Sequence, residues 1–181
     1  MTDIILRIFD ADTIERNIDA LAMLLHDCVH DGASISFVLP HTPDDSAVFW
    51  RTKVLPAVRA GGLLVLVAER SGLIVGSVQL DYDTPPNQPH RAEVRKLLVH
   101  PDFRRQGIAR ALMADLEIRA GALGRSLLTL DTRTGDLAEP LYISIGYQVV
   151  GIIPGFCRDP RIDKIDSTTI LYKDFASQVP V

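Results

Sequence analysis

The most constraining stretch of this chain is Leu97 to Arg110, which reads Leu-Leu-Val-His-Pro-Asp-Phe-Arg-Arg-Gln-Gly-Ile-Ala-Arg. It runs from an apolar strand through a basic turn into a helix. A helix N-terminus presents unpaired backbone N–H groups and a partial positive charge. Gly107 lets the backbone approach a ligand closely, and Ala109 keeps the next turn small. Arg104, Arg105 and Arg110 add positive charge. Together these predict a site for a diphosphate. The stretch lacks the Gly-Lys-Ser/Thr ending of a Walker loop and the three spaced glycines of a Rossmann turn.

The rest of the chain predicts a frame for that segment. With 181 residues, 47% of them apolar, it has the size of one domain with a substantial core, taken as 1–181. The net charge of −4 argues against a wholly basic nucleic-acid-binding surface. From Arg91 to Arg125, however, eight Arg or Lys face four Asp or Glu, so the basic charge is local. One anionic partner at one place fits that distribution. Two cysteines, no basic leader with a long apolar run and no membrane-length apolar segment predict a cytoplasmic protein with free thiols. The five histidines show no metal-ligand spacing, so no metal is expected.

Periodicity supplies the elements. Ile4 to Phe9 reads as a strand, followed by a helix opened by an Asp12/Glu15 capping box and ending near Asp31-Gly32. Thr42-Pro43 opens a second helix, which runs to about Ala60 with a kink or break expected at Pro56. Leu63–Glu69 and Leu73–Asp81 form a hairpin signal, and Val94–Val99 is a further strand. A strong helix with an Ala109, Leu112, Met113, Leu116, Ala120, Leu123 stripe follows. Strand Leu127–Leu130, helix Leu137–Ile145 and strands Gln148–Ile153 and Thr168–Tyr172 complete the order. That order predicts a mixed α/β domain, with a hairpin first half and a βαβ crossover from Val94 to Leu130.

Arg104-x-x-Gly107-x-Ala109 resembles the pyrophosphate motif of the GNAT acetyltransferases. It follows a strand and opens an amphipathic helix, as in that family. About 35 residues on, Ala138-Glu139-Pro140-Leu141-Tyr142 and Gly146-Tyr147 are similar to the family's second motif. Four further stretches look like those of the tabtoxin-resistance acetyltransferases, which acetylate a small β-lactam amino acid. They are His30 to Ser34, Arg91 to Val94, Leu130 to Thr132 and Pro154 to Cys157.

The resemblance implies a GNAT-like, mostly antiparallel sheet of six or seven strands with a central parallel splay, flanked by helices. It implies acetyl-CoA as cosubstrate, its pantetheine arm on Leu97, Leu98 and Val99. The pyrophosphate would rest on the N–H groups of the turn Arg105, Gln106, Gly107, Ile108, Ala109 and Arg110, with Arg104 beside them. Glu93 and Asp131 stand where a general base would act on the amine, and Tyr142 where an acid would protonate the CoA thiolate. A carboxylate merely paired with Arg91 or Arg95, and a plain core tyrosine, are the competing readings of Glu93 and Tyr142. Gly135 replaces an asparagine usual in the family. His30 and Ser34, on the loop between the first helices, are candidates for the acceptor pocket. The expected function is transfer of acetyl to a primary amine of a small molecule by direct attack in a ternary complex. A protein or peptide acceptor and a non-catalytic acyl-CoA-binding module are the alternatives. No nucleic-acid or membrane partner is expected, and either a monomer or a homodimer is allowed.

Overall fold

A computed structural model describes residues 4–175. Its centre is a seven-stranded sheet in the order β1-β2-β3-β4-β5-β7-β6. The strands are β1 (Ile5–Phe9), β2 (Leu63–Arg70), β3 (Leu73–Asp81), β4 (Arg91–Val99), β5 (Leu127–Arg133), β6 (Gln148–Arg158) and β7 (Ile165–Asp174). Among the described residues only β4 and β5 run parallel, and they pair at just Arg91↔Leu127, Ala92↔Leu128 and Glu93↔Thr129. Beyond Glu93 the two strands part. The expected mixed, mostly antiparallel sheet with a central splay is what forms.

Strand β2 reads Leu-Leu-Val-Leu-Val-Ala because both of its faces are covered. Val65 and Val67 join one core with the helices α1 (Ala11–Arg16), α2 (Ile18–His30), α3 (Pro43–Phe49) and α4 (Leu55–Arg59). Leu66 and Ala68 join a second core with α5 (Ile108–Ala122) and α6 (Ala138–Ser144). Trp50 is fully enclosed in the first core, and its indole N–H donates to the carbonyl of Leu21 at 3.1 Å.

Two local expectations shift. The first helix is capped not by Asp12 but by Asp10, whose carboxylate accepts from the Thr13 N–H, and the helix breaks at Asn17. The second helical segment does not break at Pro56. A π-turn over Trp50–Val54 lets it continue, and Pro56 falls in the first turn of α4, where its missing N–H costs little. The Thr42 capping box forms as a reciprocal pair with Asp45. Strands β4 to β7 all extend beyond their apolar runs, β4 already beginning at Arg91.

Candidate active site

One cavity of about 660 Å³ opens where β4 and β5 part. Its lining has two sides: Gly107, Ile108, Ala109 and Arg110 at the start of α5 form the first lobe, and Gly32 to Ser36 after α2 form the second. Glu93, Leu97, Leu98, Val99, Arg104, Arg105, Gly107, Ile108, Ala109, Arg110, Asp131, Tyr142 and Ser34 all line it. The fold thus gathers residues from β4, β5, α5, α6 and the loop after α2. A separate, shallow depression of about 430 Å³ lies on the outer side of α6 and shares only Asp136 with this cavity.

The first lobe is built around Gly107. It caps α5 at φ +83°, a conformation glycine adopts without strain, and no side chain caps the helix. The first-turn N–H groups therefore face the cavity mouth without a side-chain acceptor. The three arginines beside them are in different states. Arg104 is drawn back, donating to Asp31 in an ion pair and to the Val99 carbonyl at 3.2 Å. Arg110 donates to the Ser144 hydroxyl at 2.7 Å. Arg105 is exposed, with a left-handed backbone at φ +60°. Gln106 lies outside the cavity lining, paired with Arg70.

At the junction of the lobes, Glu93 lies 3.8 Å from Arg95, which itself holds Asp81 more closely at 2.6 Å. Asp131 accepts from the Thr168 hydroxyl at 2.9 Å. Tyr142 is 6% exposed and packs near Tyr147. Burial first, then the Asp131 and Asp136 carboxylates, raise its phenol well above the ordinary tyrosine value. The phenol is thereby kept protonated at the cavity wall.

The second lobe holds a residue that sequence reading missed. Lys96 sits on a bulge of β4 in the left-handed region at φ +50°. Its ammonium donates to the Ser36 hydroxyl at 2.9 Å and lies 5.5 Å from the Phe37 ring. Burial pushes its pKa down to about 8; neighbouring Arg95 adds to this, while Asp131 and Glu93 oppose it. The only clue in the sequence was the Arg95-Lys96 pair interrupting an apolar run.

Three contacts tie the loop of this lobe to the rest of the fold. The Ser34 hydroxyl meets the Cys157 thiol at 3.6 Å. Arg133 bridges the Gly32 carbonyl and Asp159. The Arg161 guanidinium covers Gly32, where a Cβ would come within 2.6 Å of it. His30 takes no part: it bonds the His41 carbonyl at 2.8 Å, stacks near His26 and lies outside the cavity lining.

A mixed seven-stranded sheet that opens a cavity between two parting parallel strands, beside an uncapped helix N-terminus, defines an acyltransferase-type fold. Residues 61–149 match the family model of the acetyltransferase (GNAT) domain. The chain is 42% identical over 91 residues to an acetyltransferase of Pectobacterium atrosepticum, a match covering 50% of this chain and 61% of that protein. The chain thus spans about three fifths of the length of this curated relative. An N-acetyltransferase from Staphylococcus aureus shares the fold at a TM-score of 0.78 and 18% identity, covering 96% of this chain and 99% of that one. An acetyltransferase from Salmonella typhimurium, solved with its cofactor acetyl-CoA, is similar at a TM-score of 0.76 and 18% identity, over 96% and 95%. Among the described residues no group of three or more His, Cys, Asp or Glu could hold a metal ion. No described helix is long and apolar enough to cross a membrane.

Proposed function

We propose that this chain transfers an acetyl group from acetyl-CoA to the primary amine of a small molecule, by direct attack with both bound together. The observation that carries the reading is one cavity shared by the uncapped Gly107 turn, the Tyr142 phenol and the two carboxylates Glu93 and Asp131. The Salmonella relative's acetyl-CoA supports the choice of cosubstrate. The pyrophosphate would rest on the N–H groups from Arg105 to Arg110, with the Arg105 side chain adding charge. Arg104, spent on Asp31, would serve to hold α2 against the turn rather than to bind phosphate. The pantetheine arm would lie along Leu97, Leu98 and Val99.

Glu93 or Asp131 would take a proton from the acceptor ammonium, freeing its lone pair. The nitrogen then attacks the thioester carbon, a C–N bond forms and the C–S bond breaks. The departing sulfur takes its proton from Tyr142, which burial keeps protonated, and the second proton that the acylated nitrogen sheds restores the Tyr142 phenol. Holding both partners in one cavity supplies much of the rate. The contacts of Cys157, Arg133 and Arg161 with the loop after α2 fix one wall of the acceptor lobe in place, which supports a small molecule over a peptide. Two free thiols fit a cytoplasmic setting.

The test is an acceptor screen with acetyl-CoA, following thiol release across amino acids, polyamines, aminoglycosides and short peptides. Turnover with one small amine, slowed on the order of 10²-fold or more in Tyr142→Phe with CoA affinity unchanged, is the expected outcome. Turnover with peptides alone would overturn the small-molecule reading. Tight CoA binding without turnover would overturn catalysis itself.

A further inference from the structure

The chain has four lysines, Lys53, Lys96, Lys164 and Lys173, and they stand in different states. Lys164 is paired with Asp166 at 2.6 Å and Lys173 with Glu117 at 2.7 Å, so each ammonium has a carboxylate to hold its proton. Lys53 is exposed to solvent. Lys96 alone among them lines the cavity between β4 and β5, together with Glu93, Asp131 and Tyr142. It is half-buried, and no carboxylate lies within ion-pair distance of it among the described residues. Its ammonium rests on the Ser36 hydroxyl at 2.9 Å, with the Phe37 ring at 5.5 Å and the Phe49 ring at 5.9 Å.

We propose that Lys96 is a self-acetylation site: when no small amine fills the second lobe, the acetyl group of bound acetyl-CoA passes to the Lys96 amine, and the acetyl-lysine then blocks that lobe. The inference rests on the reading that acetyl-CoA binds in this cavity. Position is the first reason. Lys96 directly precedes Leu97, Leu98 and Val99, the stretch on which the pantetheine arm would lie. Glu93 and Asp131 are near enough to act on its charge. Chemistry is the second. An amine attacks only after losing a proton, and burial has already loosened this one, with the pKa at about 8. Energetics is the third. Acetylation turns a desolvated, uncompensated ammonium into a neutral amide. Its N–H can still donate to the Ser36 hydroxyl, and its methyl group adds apolar surface beside Phe37 and Phe49.

The step balances. Glu93 or Asp131 takes one proton from the Lys96 ammonium, and the Nζ lone pair attacks the thioester carbon. The C–N bond forms, the C–S bond breaks and the sulfur takes the Tyr142 proton. The second proton shed by Nζ restores the phenol.

The test is intact-mass and peptide-mapping spectrometry of the full chain held with acetyl-CoA and no added amine. We expect a gain of one acetyl group, located on Lys96. Proximity should make it form at least about tenfold faster than acetyl-lysine at the solvated Lys53, which reports uncatalysed transfer. In Tyr142→Phe the Lys96 rate should fall on the order of 10²-fold, with the Lys53 rate unchanged. Addition of a turned-over small amine should protect Lys96 and leave Lys53 unaffected. An unmodified Lys96 in a chain that binds CoA and acetylates a small amine would overturn this inference and leave the proposed function standing. Lys96 and Lys53 modified at equal rates would overturn it too. Failure to bind CoA by calorimetry would overturn both.

Discussion

At the scale of residues, the cavity is defined by which charges have partners and which do not. Arg104, singled out by its place in the motif, is satisfied by Asp31, a contact spanning 73 residues that no local pattern announces. Lys96 carries a desolvated charge with no carboxylate within ion-pair distance among the described residues, held by a hydroxyl and aromatic faces. Its depressed pKa has a defined thermodynamic sign. Between about 8 and 10.5 the unfolded chain keeps the Lys96 proton and the folded chain has released it. Stability from this group therefore rises with pH across that window and is lowest below it. We expect Lys96→Met to melt above wild type near neutral pH, with the gap narrowing as pH rises past 8, read from thermal melts in matched buffers. A gap independent of pH would remove this account. Glu93, Asp131 and Tyr142 were singled out by the family resemblance, and the fold brings all three to one cavity. His30 is not brought there, because its ring turns toward His41 instead of the cavity. Lys96 was not legible, because a left-handed lysine at a bulge has no sequence signature.

At the scale of elements, two helix starts and the strand centres were legible, whereas the first helix cap and the irregularities were not. Thr42-Pro43 and Gly107 marked their helices correctly because a cap or a left-handed turn demands particular residues. The π-turn at Trp50 was invisible, since it arises from tertiary packing of that indole against α2, and it is what spares the helix from breaking at Pro56. The bulge in β4 was equally hidden, although it is what turns Lys96 toward Ser36. The Gly107 turn carries a sharp prediction. A Cβ there meets open space, so the penalty of Gly107→Ala lies in the backbone alone, about 1–2 kcal/mol. Any rearrangement that relieves it tilts the first-turn N–H groups. Calorimetry should show CoA affinity weakened by about tenfold, with the melting temperature falling only a few degrees. Undiminished CoA binding would show that the turn is not the phosphate site.

At the scale of the whole molecule, two cores back opposite faces of one sheet. The first depends on Trp50, and Trp50→Ala should cost about 3–5 kcal/mol in denaturant unfolding, from lost burial and the cavity left behind. The architecture as a whole was legible, because the alternation of hairpin, crossover and terminal strands admits few mixed sheets. The order β5-β7-β6 was not, since nothing local says that the last strand inserts beside the fifth.

The parting of β4 from β5 has a mechanical meaning. Among the described residues the β4–β5 ladder that joins the β1–β4 half of the sheet to the β5–β7–β6 half has only three register pairs, and past Glu93 the backbone bonds of a full ladder are missing. Whatever fills the cavity reaches both sides of that slit and acts as a splint across it. A ligand held only by the folded form at a hundred times its Kd adds about 2.7 kcal/mol to stability. Amide exchange along Val94–Val99 and Asp131–Arg133 should then slow more than exchange in β1 and β2 when CoA is added. In that sense the ligand would serve as the missing rungs of the sheet, and the empty protein would be weakest along the line where it works.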